Sequence, residues 1–150
     1  MQARHRHEPV ATLVTGAAAT ISPSDTLRAA ARALTRDHLG LLVVCDASGL
    51  RGVLSERDVV TAAGDGLDLD LERVVDHATD DVVRVPGSTS VADATRTMLA
   101  AQVRHLVVDR GGAVSGVVSL RDLAAVLLEG DEARGRAPAA DEVAAGTLAP

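Results

Sequence analysis

The chain has 150 residues, 47% of them hydrophobic, enough for one ordinary domain or two small ones around a shared core. It contains no Phe, Tyr or Trp, so its packing rests on Val, Leu and Ala, and no aromatic platform exists for stacking single-stranded nucleic acid. A net charge of −6 disfavours unspecific binding to DNA or an anionic membrane, and no apolar run approaches the ~20 residues of a membrane span. The lone Cys45 allows no intramolecular disulfide, and the opening residues do not lead into the apolar run of a secretory signal. These features predict a reduced, cytoplasmic protein with no nucleic-acid or membrane partner.

Residues 1–9 are polar and predict a disordered start; His5 and His7 lack a third ligand, so no metal site is expected there. Thr20–Ser22 is a short extended piece halted by Pro23. Ser24 or Asp25 can then cap a helix whose Leu27, Ala30, Ala31 and Leu34 share one face. Leu41–Cys45 and Leu50–Leu54 read as strands about the turn-rich Asp46–Gly49. Ser55 opens a second helix with Glu56 and Asp58 in its first turn, where the helix dipole favours acids, and Gly64 and Gly66 end it. Asp68–Ala78 is a connector, with a short helix around Leu71, Val74 and Val75.

The same steps then recur. Val82–Val85 is a strand, Pro86-Gly87 turns, and Val91, Ala94 and Met98 line a helix. Arg104–Asp109 and Ala113–Val118 pair as strands, and Ser119 begins a helix with Leu123, Val126 and Leu127 on its apolar face. From residue 129 the chain reads as a flexible tail, with a fragment of helix around Asp141–Ala145.

This recurrence is an internal repeat of β-α-β-β-α pattern, with Gly52–Val60 falling on Gly116–Ala124 and Leu41–Val44 on His105–Val108. Upstream the copies slip by one, since Pro23 pairs with Pro86. Neither copy can bury its own faces, so the expected fold is α/β (α+β), two repeats packed sheet to sheet with pseudo-two-fold symmetry. The helices after the repeated motif carry Val59, Val60, Leu123, Val126 and Leu127, more apolar surface than one small core needs, which predicts a homodimer formed through helices of both repeats.

The repeated polar signature is Gly52, Ser55, Arg57, Asp58 and again Gly116, Ser119, Arg121, Asp122. A Gly at the last strand's entry lets the backbone pass close to a bound group without a Cβ in the way. A Ser at a helix start offers a hydroxyl and free N–H groups that suit an anion. An ionised Asp three residues on can accept both hydroxyls of a ribose diol, and the Arg can neutralise phosphate. The same Ser and Asp also form a good helix cap, and duplication preserves caps as well as sites. No Ser–His or Cys–His arrangement adjoins either motif, so no catalysis is expected.

In combination, Gly52–Asp58, Gly116–Asp122, Val103–Val108 and Val85–Val91 resemble the signature of cystathionine-β-synthase-type (CBS) domains. The resemblance implies a first CBS domain over residues 10–66, a connector over 67–78 and a second CBS domain over 79–128. It also implies two clefts of a kind that often binds AMP, ADP, ATP or S-adenosylmethionine as a regulatory ligand. Carried over, Ser55 and Ser119 contact phosphate or ribose, Asp58 and Asp122 hold the ribose hydroxyls, and Arg104 and His105 lie beside the second cleft. Where the family has a Pro in its second strand, this chain has Leu42 and Leu106, each followed by Val. Where the family has Met-Thr before the first strand, it has Val14-Thr15 and Ala78-Thr79. The expected function is a regulatory module that senses an adenosyl ligand and signals to a partner protein; the alternative is a ligand-free homodimeric interaction module.

Overall fold

The computed structural model describes residues 4–135. After a helical turn α1 (Arg4–His7) and a short 3-10 helix (Val10–Leu13), the first repeat comprises β1 (Thr20–Ile21), α2 (Leu27–Arg36), β2 (Leu41–Asp46), β3 (Gly49–Ser55) and α3 (Glu56–Gly64). A turn of helix α4 (Val74–His77) leads into the second repeat. That repeat comprises β4 (Arg84–Pro86), α5 (Val91–Ala100), β5 (His105–Arg110), β6 (Ala113–Ser119) and α6 (Leu120–Gly135). Each repeat forms a three-stranded mixed sheet, ordered β1-β2-β3 and β4-β5-β6, with the first pair parallel and the second antiparallel.

Register explains the likeness of the copies in detail. Leu41 pairs with Ser55 as His105 pairs with Ser119, and both hairpins shift register after Val44 or Val108. Each shift leaves one extra residue, Arg51 or Ser115, a β-bulge that twists the strand. His38 and Gln102, at equivalent places after α2 and α5, both take positive φ. The spacing holds through Thr20 on Val43 and Arg84 on Val107, and through both first helices, so the expected slip of one residue does not occur. Pro23 and Pro86 simply occupy neighbouring positions of equivalent turns.

Val10 and Val74 have exchanged places. The apolar core of the second repeat gathers Val85, Val91, Met98, Leu106, Val118 and Leu123 around Val10, which precedes the first repeat. The core of the first gathers Ile21, Leu27, Leu42, Leu54 and Val59 around Val74, which precedes the second. Main-chain bonds repeat the exchange. Val10 N–H donates to Thr89 O at 2.7 Å and Ala11 N–H to Gly87 O at 3.0 Å; Val74 donates to Asp25 O at 2.9 Å and Val75 to Pro23 O at 3.0 Å. Val43 and Val107 belong to neither core, yet are buried on the opposite faces of β2 and β5, where the two sheets meet.

Four expectations are corrected. The start is ordered from Arg4: α1 packs on α5 and α6, and Val91 N–H donates to Glu8 O at 2.9 Å. Thr26, not Ser24 or Asp25, caps α2, accepting Ala29 N–H at 3.1 Å, because Ser22, Ser24 and Asp25 are bonded to one another in the preceding turn. The strand expected at Val82–Val85 is Arg84–Pro86, since Val82 N–H turns back to Asp80 O. The last helix continues to Gly135, beyond the expected tail boundary at 129; residues 136–150, with the helix expected at Asp141–Ala145, lie outside the described residues.

Candidate functional site

The two polar signatures sit at equivalent strand-to-helix junctions, β3 to α3 and β6 to α6. In the first, Ser55 N–H and Oγ donate to Asp58 Oδ2 at 2.7 and 2.9 Å, and Asp58 N–H donates to Ser55 Oγ at 3.3 Å. In the second, Ser119 N–H and Oγ donate to Asp122 Oδ2 at 2.8 and 2.8 Å, and Asp122 N–H donates to Ser119 Oγ at 3.2 Å. Both are capping boxes. The first turn of α5 shares two of these three bonds, Ser90 Oγ to Asp93 Oδ2 at 2.9 Å and Asp93 N–H to Ser90 Oγ at 3.1 Å, so they serve a helix start without any repeated signature. In each junction both donors converge on one carboxylate oxygen. Oδ1 of Asp58 and of Asp122 accepts nothing among the described residues and can accept a donor from outside. Asp58 is half-buried and Asp122 is exposed.

Arg57, Arg104 and Arg121 are exposed and form no ion pair among the described residues, unlike Arg84, which grips Asp109 at 2.7 Å. They are cations held at the junctions and available to an anion.

Gly52 and Gly116 serve a different neighbour from the one expected. A Cβ on Gly52 would lie 2.6 Å from Thr79 O, and one on Gly116 would lie 2.3 Å from Val14 Cγ1. The close approach is to the chain itself, to the segments that lead into the opposite repeat. Val14 and Thr79 thus border the junctions. The sequence marked these places only as the pairs Val14-Thr15 and Ala78-Thr79 at equivalent distances ahead of each strand.

Gly40 and Glu56 were not legible as neighbours of the site. The His105 ring lies against Gly40, where an added Cβ would meet ring Cε1 and Nε2 at 2.7 Å. The repeats are unlike here: Leu41 stands in the first where His105 stands in the second. Burial pushes the His105 pKa below its usual value and Arg104 adds to this, while Asp122 and, from the other repeat, Glu56 pull it up. A depressed histidine pKa means that the unfolded chain binds more protons. The native contribution is therefore complete above the unfolded value of 6.5 and is lost as pH falls through it toward the lower folded value. Urea midpoints measured at pH 7.5 and pH 5 should fall more for the wild type than for His105→Leu; equal falls would remove the burial effect.

Among the described residues, no three His, Cys, Asp or Glu side chains come together as a metal site, and no helix is long and apolar enough to cross a membrane. Among the described residues, each junction carries a carboxylate oxygen open to a donor; the first also carries one unpaired guanidinium, Arg57, and the second carries two, Arg104 and Arg121.

The CBS domain family matches residues 10–65 and 73–129. An uncharacterized 17.7 kDa protein of Acidianus ambivalens is 35% identical over 133 residues, covering 87% of this chain and 79% of that protein. The arabinose 5-phosphate isomerase KdsD of Yersinia pestis is 33% identical over 105 residues, 69% of this chain but only 32% of the isomerase. A solved CBS domain protein from Pyrobaculum aerophilum, complexed with AMP, superposes with a TM-score of 0.74 at 29% identity, covering 83% of this chain and 99% of that one.

Proposed function

Because the chain belongs to the CBS-domain family, we propose that it is a regulatory module that binds an adenosyl ligand and signals its presence to a partner protein. The observation that supports this reading best is the likeness to the AMP-complexed Pyrobaculum protein over nearly all of that protein's length. In this reading the second cleft takes the ligand first. Asp122 accepts the ribose hydroxyls, Ser119 contacts ribose or phosphate, and Arg104, His105 and Arg121 meet the phosphate. Gly116 keeps the strand open to a close neighbour. Ser55, Arg57 and Asp58, with Gly52, form the weaker first cleft, where Leu41 supplies no polar group at the place of His105. AMP, ADP, ATP and S-adenosylmethionine share the adenosine that these groups address. The module works without catalysis, shifting the population of conformations that a partner recognises. Calorimetric titration with these four ligands and a guanine nucleotide tests it: saturable heat with an adenosyl compound is expected, and none at millimolar concentration would sink the reading.

The second reading, a ligand-free interaction module, is favoured by the capping boxes, which bond Ser55 to Asp58 and Ser119 to Asp122 without any ligand. Both readings include a homodimer in the cytoplasm. Of the apolar residues first assigned to the dimer, Val59, Leu123 and Val126 are buried in the chain's own cores and Leu127 packs against one of them. Of that set Val60, at 69% exposure, remains for a second copy, and Leu128 at 64%, next to Leu127 on α6, joins it. Light scattering at tens of micromolar should give twice the chain mass, and Val60→Glu with Leu128→Glu should give the monomer; a monomeric wild type would refute the dimer.

A further inference from the structure

Three large apolar side chains stand exposed in the connector between the repeats. Leu67 is 40% exposed, Leu71 73% and Val75 49%, and none of them enters either core. The connector turns twice: Leu71 and Glu72 N–H donate to Asp68 O at 2.9 and 3.0 Å, and Ala78 N–H donates to Val74 O at 2.9 Å. Leu69 and Val74 pack into the first core, which leaves Leu71 and Val75 outside. Leu27 and Arg28 N–H donate to Glu72 and Leu69 O, and Val75 N–H to Pro23 O, so the connector is fixed along the start of α2. α4 also packs on α3, which Leu67 follows.

The repeat supplies an internal control. The register that sets Ser55 on Ser119 also sets Val74 on Val10, and both are wholly buried. The outward positions are not kept: Leu71 falls on His7 and Val75 on Ala11. The fold therefore does not require large apolar side chains at 71 and 75. Charge changes in the same places, since Asp68 and Asp70 fall on Arg4 and Arg6, and Asp76 on Thr12.

Around the apolar side chains stand Asp65, Asp68, Asp70, Glu72 and Asp76, against Arg73 and His77. The two cations are engaged already: Arg73 donates to Ser24 O at 3.0 Å, and His77 lies 2.6 Å from Glu72. Asp70 is paired with Arg28. Asp65, Asp68 and Asp76 are exposed and form no ion pair among the described residues. Apolar surface rimmed by charge marks a contact surface, and the sign of the charge selects its partner. A second copy brings the same acids and a net charge of −6, so it is repelled here. A cationic segment with apolar anchors is attracted on both counts.

We infer that the connector surface around Leu67, Leu71 and Val75 docks a cationic amphipathic segment of the partner protein. Its apolar anchors lie on these three side chains and its Lys or Arg residues over Asp65, Asp68 and Asp76. The inference rests on the reading of the chain as a module that signals to a partner, and it names the face and chemistry of that contact. Thr79, just after α4, holds Val53 of β3 by two main-chain bonds of 2.9 Å and lies over Gly52. The docking surface is thus continuous with the strand that enters the first junction.

A synthetic helix-forming peptide of Leu and Lys, titrated into the full isotope-labelled chain and followed by NMR, tests it. Saturable amide shifts gathered at Leu67–Asp76 are expected, with affinity falling several-fold between ~50 and ~200 mM salt. The same peptide with Glu in place of Lys should not bind. Leu71→Ser with Val75→Ser should weaken the Lys peptide by roughly tenfold or more at an unchanged melting temperature, because both side chains are exposed. Asp65→Lys with Asp76→Lys should do the same. Wild-type affinity in either pair, shifts centred elsewhere, or no binding at millimolar peptide would overturn the inference. So would a change from dimer to monomer in Leu71→Ser with Val75→Ser, which would give the surface to a second copy. AMP titration of the wild type reads the ligand proposal separately: AMP binding without peptide binding removes the docking surface alone, and peptide binding without AMP binding removes the adenosyl ligand alone.

Discussion

Leu106→Ala should lower the stability of the chain by about 2–5 kcal/mol, the usual cost of emptying a fully buried leucine site, and unfolding should remain a single transition. Leu106 is wholly buried, in the core that also holds Met98, Val118 and Leu123. A fold made of two independent repeats would let the second melt early while the first stayed intact. The exchanged segments predict otherwise. Val10 fills the second core and is continuous with the first repeat, while Val74 fills the first core and is continuous with the second. Losing either core releases the segment that completes the other's connections. Leu42→Ala, at the equivalent place in the first core, should cost a similar amount. Calorimetric melting checks both variants: two separated transitions in Leu106→Ala, with the upper one at the wild-type temperature, would refute the coupling.

Asp122→Ala should weaken AMP by roughly tenfold to a hundredfold, corresponding to about 1.5–3 kcal/mol for a lost hydrogen-bonded charge. The same change removes the acceptor of both Ser119 donors and an acid from the first turn of α6, at a cost of about 0.3–1 kcal/mol of stability. Asp58→Ala breaks an equivalent box and should cost similar stability, but less affinity. Melting and titration together therefore separate the cap from the site. If the two variants lose the same stability and neither loses affinity, both carboxylates are caps only.

Much of this was legible in the sequence because the chain repeats itself. Gly52–Asp58 against Gly116–Asp122 placed both junctions, and the apolar runs Leu41–Val44 and His105–Val108 placed the inner strands. The exchange of Val10 and Val74 was not legible. Each is an apolar residue after a charged or proline-containing stretch, with no periodicity to show which core it fills. The N-terminal residues read as disordered for the same reason: their order comes from contacts with α5 and α6, far along the chain. The signature glycines were legible as places of close approach, but not what approaches them, because Thr79 and Val14 arrive through the tertiary fold.

Binding of an adenosyl ligand at the second junction is the central claim, and the movement of backbone amide resonances as AMP is titrated into the full chain tests it most directly. The account predicts saturable shifts gathered at Arg104–His105 and Gly116–Asp122, larger than any at Gly52–Asp58. No shifts at millimolar AMP, or shifts confined to the first junction, would contradict it.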